Sequence, residues 1–533
     1  MPNGLLALVL HAHLPYVRHT DRWELVAERW LHEAVLETYL PLVDMLLRLA
    51  ADGVKARLAL SISPTLVAML RDPLLATRYE EYAAAVGGLA AREAMKAQSR
   101  NDAATGEALR LYLRKLDRAR QVRDAIEGDI VGALAALEDA GVVELMTTAA
   151  THAYLPLLVP MPRAVEAQVR LAIEGHRAAF GRDPAGFWLP ECGWAPELEP
   201  ALARHDVRYV VLESHGIERA EPAPALGVHA PLLTPLGIAA FGRDPLCSKQ
   251  VWSATEGYPG DPWYREFYRD LGWEIPDDEL GRLRPPPGGG RLPTGLKLCR
   301  VTGPTEDKAA YVPAVAARRA REHALDFVRR RRDQVTGLGL AQDRPPLIVA
   351  PFDAELFGHW WLEGPLFLEE VIRRVARGHD GLELVTPADV LSRWPRVQTA
   401  LPAASSWGLG GTSEVWLSEE NAWIHRHLHQ TGRRLMRACE SRSGALGVTR
   451  RALTQAVREH LLAQASDWFF LIRAGSAREY ATRRVEDHLT RVLGLLDQLE
   501  RGEVDELALG RLESASPIFP WLEPSIYGSD AES

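Results

Sequence analysis

The stretch "PLIVAPFDAELFGHWW", residues 346–361, begins as an apolar run and ends in charge and aromatics. Its first seven residues have the length of a strand and carry no polar side chain, as a parallel strand buried on both faces requires. The run stops at Asp353, with Glu355, His359, Trp360 and Trp361 crowded behind it. A carboxylate at the end of a buried strand is costly unless something pairs with it. A site that works on a polar, flat-faced substrate would tolerate that cost.

Six further runs share the pattern, at 5–11, 56–63, 142–149, 185–190, 207–213 and 237–242. Strands that alternate with helical stretches point to an α/β fold, either a barrel or a doubly wound sheet. Polar residues follow most of the runs: His11 and His13, Ser63, His152, Glu191, Glu213, Arg243 and Asp353. In barrels the working residues stand at the C-terminal ends of strands.

The chain has 533 residues, 47% hydrophobic and 25% charged, ordinary values for a globular enzyme with a large core. Its net charge of −9 offers no basic field to nucleic acid. The Arg-rich stretch 318–335 alternates with apolar residues and reads as the solvated face of a helix. The four cysteines are scattered without CxxC spacing, which fits a reducing cytoplasm and argues against a disulfide framework or zinc site. The N-terminal run is short, interrupted by His and lacks a basic leader, so a buried strand is expected there and not a signal peptide. No apolar run approaches membrane-spanning length.

Residues 75–140 carry no strand signal and read as a helical insertion. Residues 214–236, rich in Pro, Ala and Gly, read as a loop near the active site, and 284–294 as an irregular excursion. Beyond about 400 the pattern is that of amphipathic helices. The expected division is a catalytic unit over 1–400 and a helical domain over 401–533.

Glu191 and Asp353 each end a strand, and in a closed barrel both would face one mouth. Two facing carboxyl groups suit glycoside cleavage; in the retaining form they stand roughly 5–5.5 Å apart. The plainer alternative is that each caps the following helix. Of the 15 Trp, many lie beside polar strand ends: Trp188, Trp194, Trp252, Trp360, Trp361, Trp407, Trp416 and Trp468. Aromatic faces stack on sugars, although a single Trp is more often core. Trp252, Trp360, Trp407 and Trp416 are taken forward as substrate-binding. His11 and His13 alternate along a strand and so point to one side. With His152 they would also suit a metal-dependent amidohydrolase, but no further ligand set is evident, and no metal or cofactor is expected. Asp467, beside Trp468 on a helix, is either a substrate contact or a salt-bridged surface residue. A glycan-binding protein without catalysis is a further alternative, disfavoured by the carboxylate pair.

The motifs "LVLHAHLPYVRH", "SISPT", "ATHAYLPLL", "GFWLPECGW", "QVWSATEGYPG", "PFDAELFGHWW" and "ASDWFF", in this order, resemble those of glycoside hydrolase family 57. The resemblance is strongest to its 1,4-α-glucan branching enzymes and the related α-amylase-type members. It implies a (β/α)7 barrel, a helical insertion and a C-terminal all-helical domain that completes the cleft. It implies a retaining, metal-free mechanism on α-glucans such as amylose, glycogen and maltooligosaccharides. By motif matching, Glu191 is the nucleophile and Asp353 the acid/base. His11, His13, His152, Arg243, Trp252, Gly260, Trp407, Trp416 and Asp467 line the subsites. Typical branching members place a Tyr on a loop after the "VLESHG" strand. Here no Tyr lies between Tyr209 and Tyr258, and Leu226 stands near the corresponding place. Branching with substantial hydrolysis is therefore the expectation, with an α-amylase as the alternative.

Overall fold

The computed structural model describes residues 3–20, 25–253, 256–284, 291–303, 305–339, 344–378 and 380–528. The strands are β1 (Gly4–Ala12), β2 (Leu58–Ile62), β3 (Val143–Thr148), β4 (Phe187–Trp188), β5 (Tyr209–Leu212), β6 (Leu232–Leu233), β7 (Ala239–Gly242), β8 (Leu347–Asp353) and β9 (Leu382–Leu384). Seven of them stand in the order β7-β5-β4-β3-β2-β1-β8, each parallel to its neighbour. The seam between β7 and β8 is bridged where the Asp244 N–H donates to the Val349 carbonyl at 2.9 Å. This is the expected (β/α)7 barrel. Every residue of β1 is buried, because barrel side chains fill one face and flanking helices cover the other.

All seven runs read as strands are strands. Two further strands gave no usable signal. β6 has two residues, too few to show a period, and β9 is the short "LEL" beside the start of β1. The Arg-rich helix is Pro313–Gly339, with Ala316, Ala320, Ala324 and Phe327 on its buried face. Helices Pro73–Ser99 and Ala103–Ala125 pack on each other between β2 and β3. The third helix of that stretch, Ile130–Asp139, packs on β3 as a barrel helix, so the insertion proper is the preceding pair.

The stretch 214–236 differs from the loop expected. It contains a helix, Ser214–Glu218, a 3-10 turn, Gly227–His229, and β6. His229 Nδ1 lies 3.3 Å from the carbonyl of Leu347, the first residue of β8. Asp353 ends the same strand six residues later, about 20 Å away at a strand's rise. The part around Leu226 therefore runs towards the opposite end of the barrel from Asp353. The excursion 284–294 falls partly on residues 285–290, outside the described residues.

After β9 the chain forms helices Ala422–Ser441, Gly447–Ala463, Ser466–Ala474, Arg478–Arg501 and Glu506–Ala515. Their apolar faces are shared between two cores. Ala452, Leu453, Val457 and Leu461 join the cluster formed by the barrel helices, and Trp468 and Phe469 pack in one that includes Tyr154. All four cysteines are free. No helix of the described residues is long and apolar enough to cross a membrane.

Candidate active site

Strand register sets the first layer of the site. His11 stands level with Ser61 of β2 on one side and Asp353 of β8 on the other. His11 Nδ1 lies 3.2 Å from Ser61 Oγ, and His13 Nδ1 lies 2.9 Å from Ser63 Oγ. His152, in left-handed backbone (φ 59°) just past β3, brings its Nε2 to 2.9 Å from His11 Nε2. The rings of His13 and His152 stack at 3.7 Å, and His11 stacks on Trp188 at 4.8 Å. Burial, reinforced by His13, lowers the proton affinity of His11 and His152 well below the usual imidazole range, so both are neutral at pH 7.

Glu191 follows β4 in a tight turn with φ 62° and ψ 21°, and Cys192 beside it has φ 50°. Such backbone costs about 1–3 kcal/mol per residue and persists where the surroundings enforce it. Its carboxylate is gripped by two donors. Ser466 Oγ donates to Oε1 at 2.9 Å and Trp407 Nε1 to Oε2 at 2.7 Å, while the Trp407 N–H donates to the Glu191 carbonyl. Burial pushes its proton affinity up, and the Trp407 and Ser466 hydrogen bonds oppose it.

These bonds dictate the histidine tautomers. An ionised Glu191 only accepts, so the Ser466 hydroxyl must donate to it. Ser466 Oγ then accepts from His152 Nδ1, 2.8 Å away. The His152 proton is thus on Nδ1, its Nε2 accepts from His11 Nε2–H, and His11 Nδ1 takes the Ser61 hydroxyl proton in preference to the Thr147 carbonyl, which lies further away at 3.4 Å. One chain of oriented protons runs from β2 to Glu191.

Asp353 is held differently. Its carboxyl receives no hydrogen bond from a described residue. Burial pushes its proton affinity well above the carboxylate range, Glu355 and Glu191 add to this, Arg243 opposes it, and Asp467 adds again. Two carboxyl groups that sense each other's charge therefore sit in contrasting surroundings, one with donors and one without. That contrast makes Asp353 the one pushed further towards holding its proton.

Arg243, after β7, donates from Nη1 to Glu213 Oε2 at 2.8 Å, and its guanidinium lies 5.5 Å from the Trp407 ring centre. Asp467 comes from the first turn of Ser466–Ala474 and accepts from His13 Nε2 at 3.0 Å. His13, His152 and Asp467 each bring a donor atom within 4.8 Å of the others. His13 Nε2 is already bonded to Asp467, so a cation there would have to break that contact.

The structure thus gathers His11, His13, His152, Glu191, Arg243, Asp353, Trp407 and Asp467 at one end of the barrel. Trp252, 37% exposed, lies 6.3 Å from Trp407 at its edge. Gly260 ends the 3-10 turn Tyr258–Gly260. Trp360 is 48% exposed and stacks on Phe267 at 4.2 Å. Trp416 is not a wall of the cleft. It is 2% exposed, stacks on Tyr154 at 4.3 Å and supports the turn after Trp407, where a Cβ on Gly408 would come within 2.8 Å of its ring. Spacing alone cannot tell a cleft Trp from one beneath it. Glu213, one of the strand-end polar residues, joins the site through Arg243, while Ser61, Ser466 and Glu355 join it beyond the expected set; the alternating serines of "SIS" and the position before Asp467 are the signals that point to the two serines.

Comparison with known proteins gives the family. The model of glycosyl hydrolase family 57 matches residues 7–270, and that of the C-terminal region of 1,4-alpha-glucan branching enzymes matches 427–527. The chain is 34% identical to a 1,4-alpha-glucan branching enzyme of Thermococcus kodakarensis, over 97% of this chain and 77% of that one. It is 33% identical to a probable 1,4-alpha-glucan branching enzyme of Mycobacterium tuberculosis over 95% of each. The solved alpha-amylase AmyC from Thermotoga maritima superposes with a TM-score of 0.92 at 36% identity, covering 100% of both chains. The GH57-type branching enzyme from Pyrococcus horikoshii superposes at 0.87 with 32% identity, covering 100% of this chain and 98% of that one. With relatives of this identity aligned along nearly its whole length, the chain belongs to glycosyl hydrolase family 57.

Proposed function

We propose that this protein is a 1,4-α-glucan branching enzyme that works by retaining double displacement and also hydrolyses part of its substrate. The observation that carries the reading is the unequal pair at the barrel mouth: Glu191 with two donors on its carboxylate, Asp353 with none. Asp353, protonated, gives its proton to the glycosidic oxygen as Glu191 attacks C1. The C1–oxygen bond breaks, the shortened chain leaves as an alcohol, and a glycosyl ester remains on Glu191. Asp353, now a carboxylate, takes the proton from an acceptor hydroxyl, which attacks C1 and frees Glu191. A glucan 6-hydroxyl gives an α-1,6 branch; water gives hydrolysis. His11, His13, His152, Arg243, Asp467 and Trp407 would hold the sugar at the cleavage point, with Trp252, Gly260 and Trp360 further out. The unit boundary at 400 belongs to this proposal, as does a role in cytoplasmic glycogen synthesis, which the free cysteines fit.

Two observations favour more hydrolysis than in a clean transferase. No Tyr occurs between Tyr209 and Tyr258, and the Thermotoga alpha-amylase superposes closely over the full chain. An assay on amylose that counts new α-1,6 linkages and new reducing ends in one tube decides between them. Linkages in excess of reducing ends are expected, with both lost in Glu191→Gln. Reducing ends without linkages would make the protein an α-amylase, and neither product would overturn the assignment.

A further inference from the structure

The helix that follows β1 is broken by one π turn. Helix Leu25–Ala34 runs into a π turn, Val35–Tyr39, and continues as helix Leu40–Ala51. A π turn widens the helix at the expense of its regular hydrogen bonds, and such turns recur at functional sites. Here its last three residues, all buried, grip the chain that follows Asp353. Glu37 Oε2 lies 2.9 Å from His359 Nδ1, and Thr38 Oγ1 accepts from the His359 N–H at 3.2 Å. Gly358 has φ 124°, and a Cβ there would meet the Glu37 carbonyl at 1.9 Å, so only glycine allows the approach. Tyr39 donates its hydroxyl to Glu355 Oε1 at 2.5 Å. The same oxygen accepts from the His13 N–H at 3.1 Å, which ties Glu355 to the end of β1.

Glu355 is two residues from Asp353; burial raises its proton affinity, and the Tyr39 hydroxyl and the His13 N–H, both donating to it, favour its charged form in opposition. Burial and Glu355 keep the Tyr39 phenol well above its usual range, so it remains a donor. The charges that act most strongly on Asp353 are Glu355 on its own segment, Glu191 after β4, Arg243 after β7 and Asp467 from the C-terminal helices. Three are negative and one positive. Of the negative ones, Glu191 and Asp467 belong to the sugar cradle, whereas the Glu355 carboxyl is held by Tyr39 and the His13 N–H.

We propose that Glu355, clamped by Tyr39 of the π turn, is a positioning residue whose buried negative charge keeps the proton on Asp353 until the leaving oxygen takes it. This rests on Asp353 being the acid of the proposed reaction. It explains why "DAELFGH" carries a glutamate, a glycine and a histidine at these spacings: Glu355 meets Tyr39, Gly358 meets Glu37, and His359 meets both Glu37 and Thr38.

The test is the pH dependence of kcat/KM for total α-1,4 cleavage of amylose by the full chain, with linkages and reducing ends summed. The alkaline limb reports loss of the proton from the acid. In Glu355→Gln a fixed negative charge is gone, so that limb moves to lower pH by about one unit while the acid limb stays. Tyr39→Phe moves it in the same direction by less, because a Glu355 without its donor accepts a proton more readily. Glu355→Asp retains the charge and keeps the limb near its wild-type place. An alkaline limb unmoved in folded Glu355→Gln or Tyr39→Phe, whatever the fall in kcat, overturns the proposal; if Glu355→Gln does not fold, Tyr39→Phe decides alone. A wild type that cleaves no α-glucan overturns the assigned activity instead.

Discussion

Ser466 is a small residue that holds two parts of the site together. Its hydroxyl accepts from His152 and donates to Glu191, so it links the barrel histidines to the proposed nucleophile from a helix over 270 residues further along the chain. A hydrogen bond to a charged group is worth about 1.5–3 kcal/mol. Ser466→Ala should therefore lower kcat/KM on amylose roughly 10- to 100-fold with little change in thermal midpoint. An unaltered kcat/KM would mean that Trp407 alone suffices to hold Glu191. The left-handed backbone of Glu191 belongs to the same scale, because it turns the carboxylate out of strand geometry and towards Ser466 and Trp407.

At the scale of elements, the π turn and the segment after β8 are one construction. The turn presents a carbonyl, a hydroxyl and a carboxylate where a regular helix would present fewer free groups, and Gly358 lets the segment touch it. In Gly358→Ala a Cβ would collide with the Glu37 carbonyl in backbone that L-residues avoid. The expected loss of stability is roughly 3 kcal/mol or more, read as a lower denaturation midpoint. If the midpoint does not move, the two elements are not in rigid contact. The β7–β8 seam is a second such construction. Asp244 caps helix Pro245–Trp252 by accepting from Cys247 N at 2.7 Å, while its own N–H reaches β8. One residue both starts a helix and ties two strands.

At the scale of the whole molecule, the C-terminal chain is wrapped onto the barrel. Ile518, Phe519 and Trp521 pack over helix Pro162–Phe180, with the Trp521 ring 3.4 Å from where a Cβ on Gly175 would stand. His176 lies beneath this wrap, and neither of its ring nitrogens has a polar partner among the described residues. Burial lowers its pKa from 6.5 to about 3. Below pH 6.5 the unfolded chain binds a proton there that the folded chain does not, so this site costs stability as pH falls towards 3. Relative to wild type, His176→Leu should gain about 1.4 kcal/mol per pH unit across that window. Paired denaturant melts at pH 7 and pH 5 measure it. A stability difference independent of pH would mean that His176 takes its proton while folded.

The sequence by itself determined an α/β fold with buried parallel strands; the apolar runs left a barrel and a doubly wound sheet open, and the resemblance to family 57 chose the barrel. Seven apolar runs, each closed by a polar residue, admit few packings other than parallel strands with their working ends together, because a run apolar at every position must be covered on both faces. It also singled out Glu191, Asp353 and the three histidines, since buried strands ending in charge are rare without a purpose. What only the tertiary structure decided was which partners those residues meet. The grip of Ser466 and Trp407 on Glu191, the bareness of Asp353 and the π-turn clamp on Glu355 join residues far apart in the chain. No local spacing encodes such contacts. The same holds for Trp416, which reads like Trp407 in the sequence but lies under the cleft, and for the stretch around Leu226, drawn by His229 to the far end of β8. Composition marks a segment as a turn or an aromatic as large; which surface it covers depends on what the rest of the chain has left uncovered.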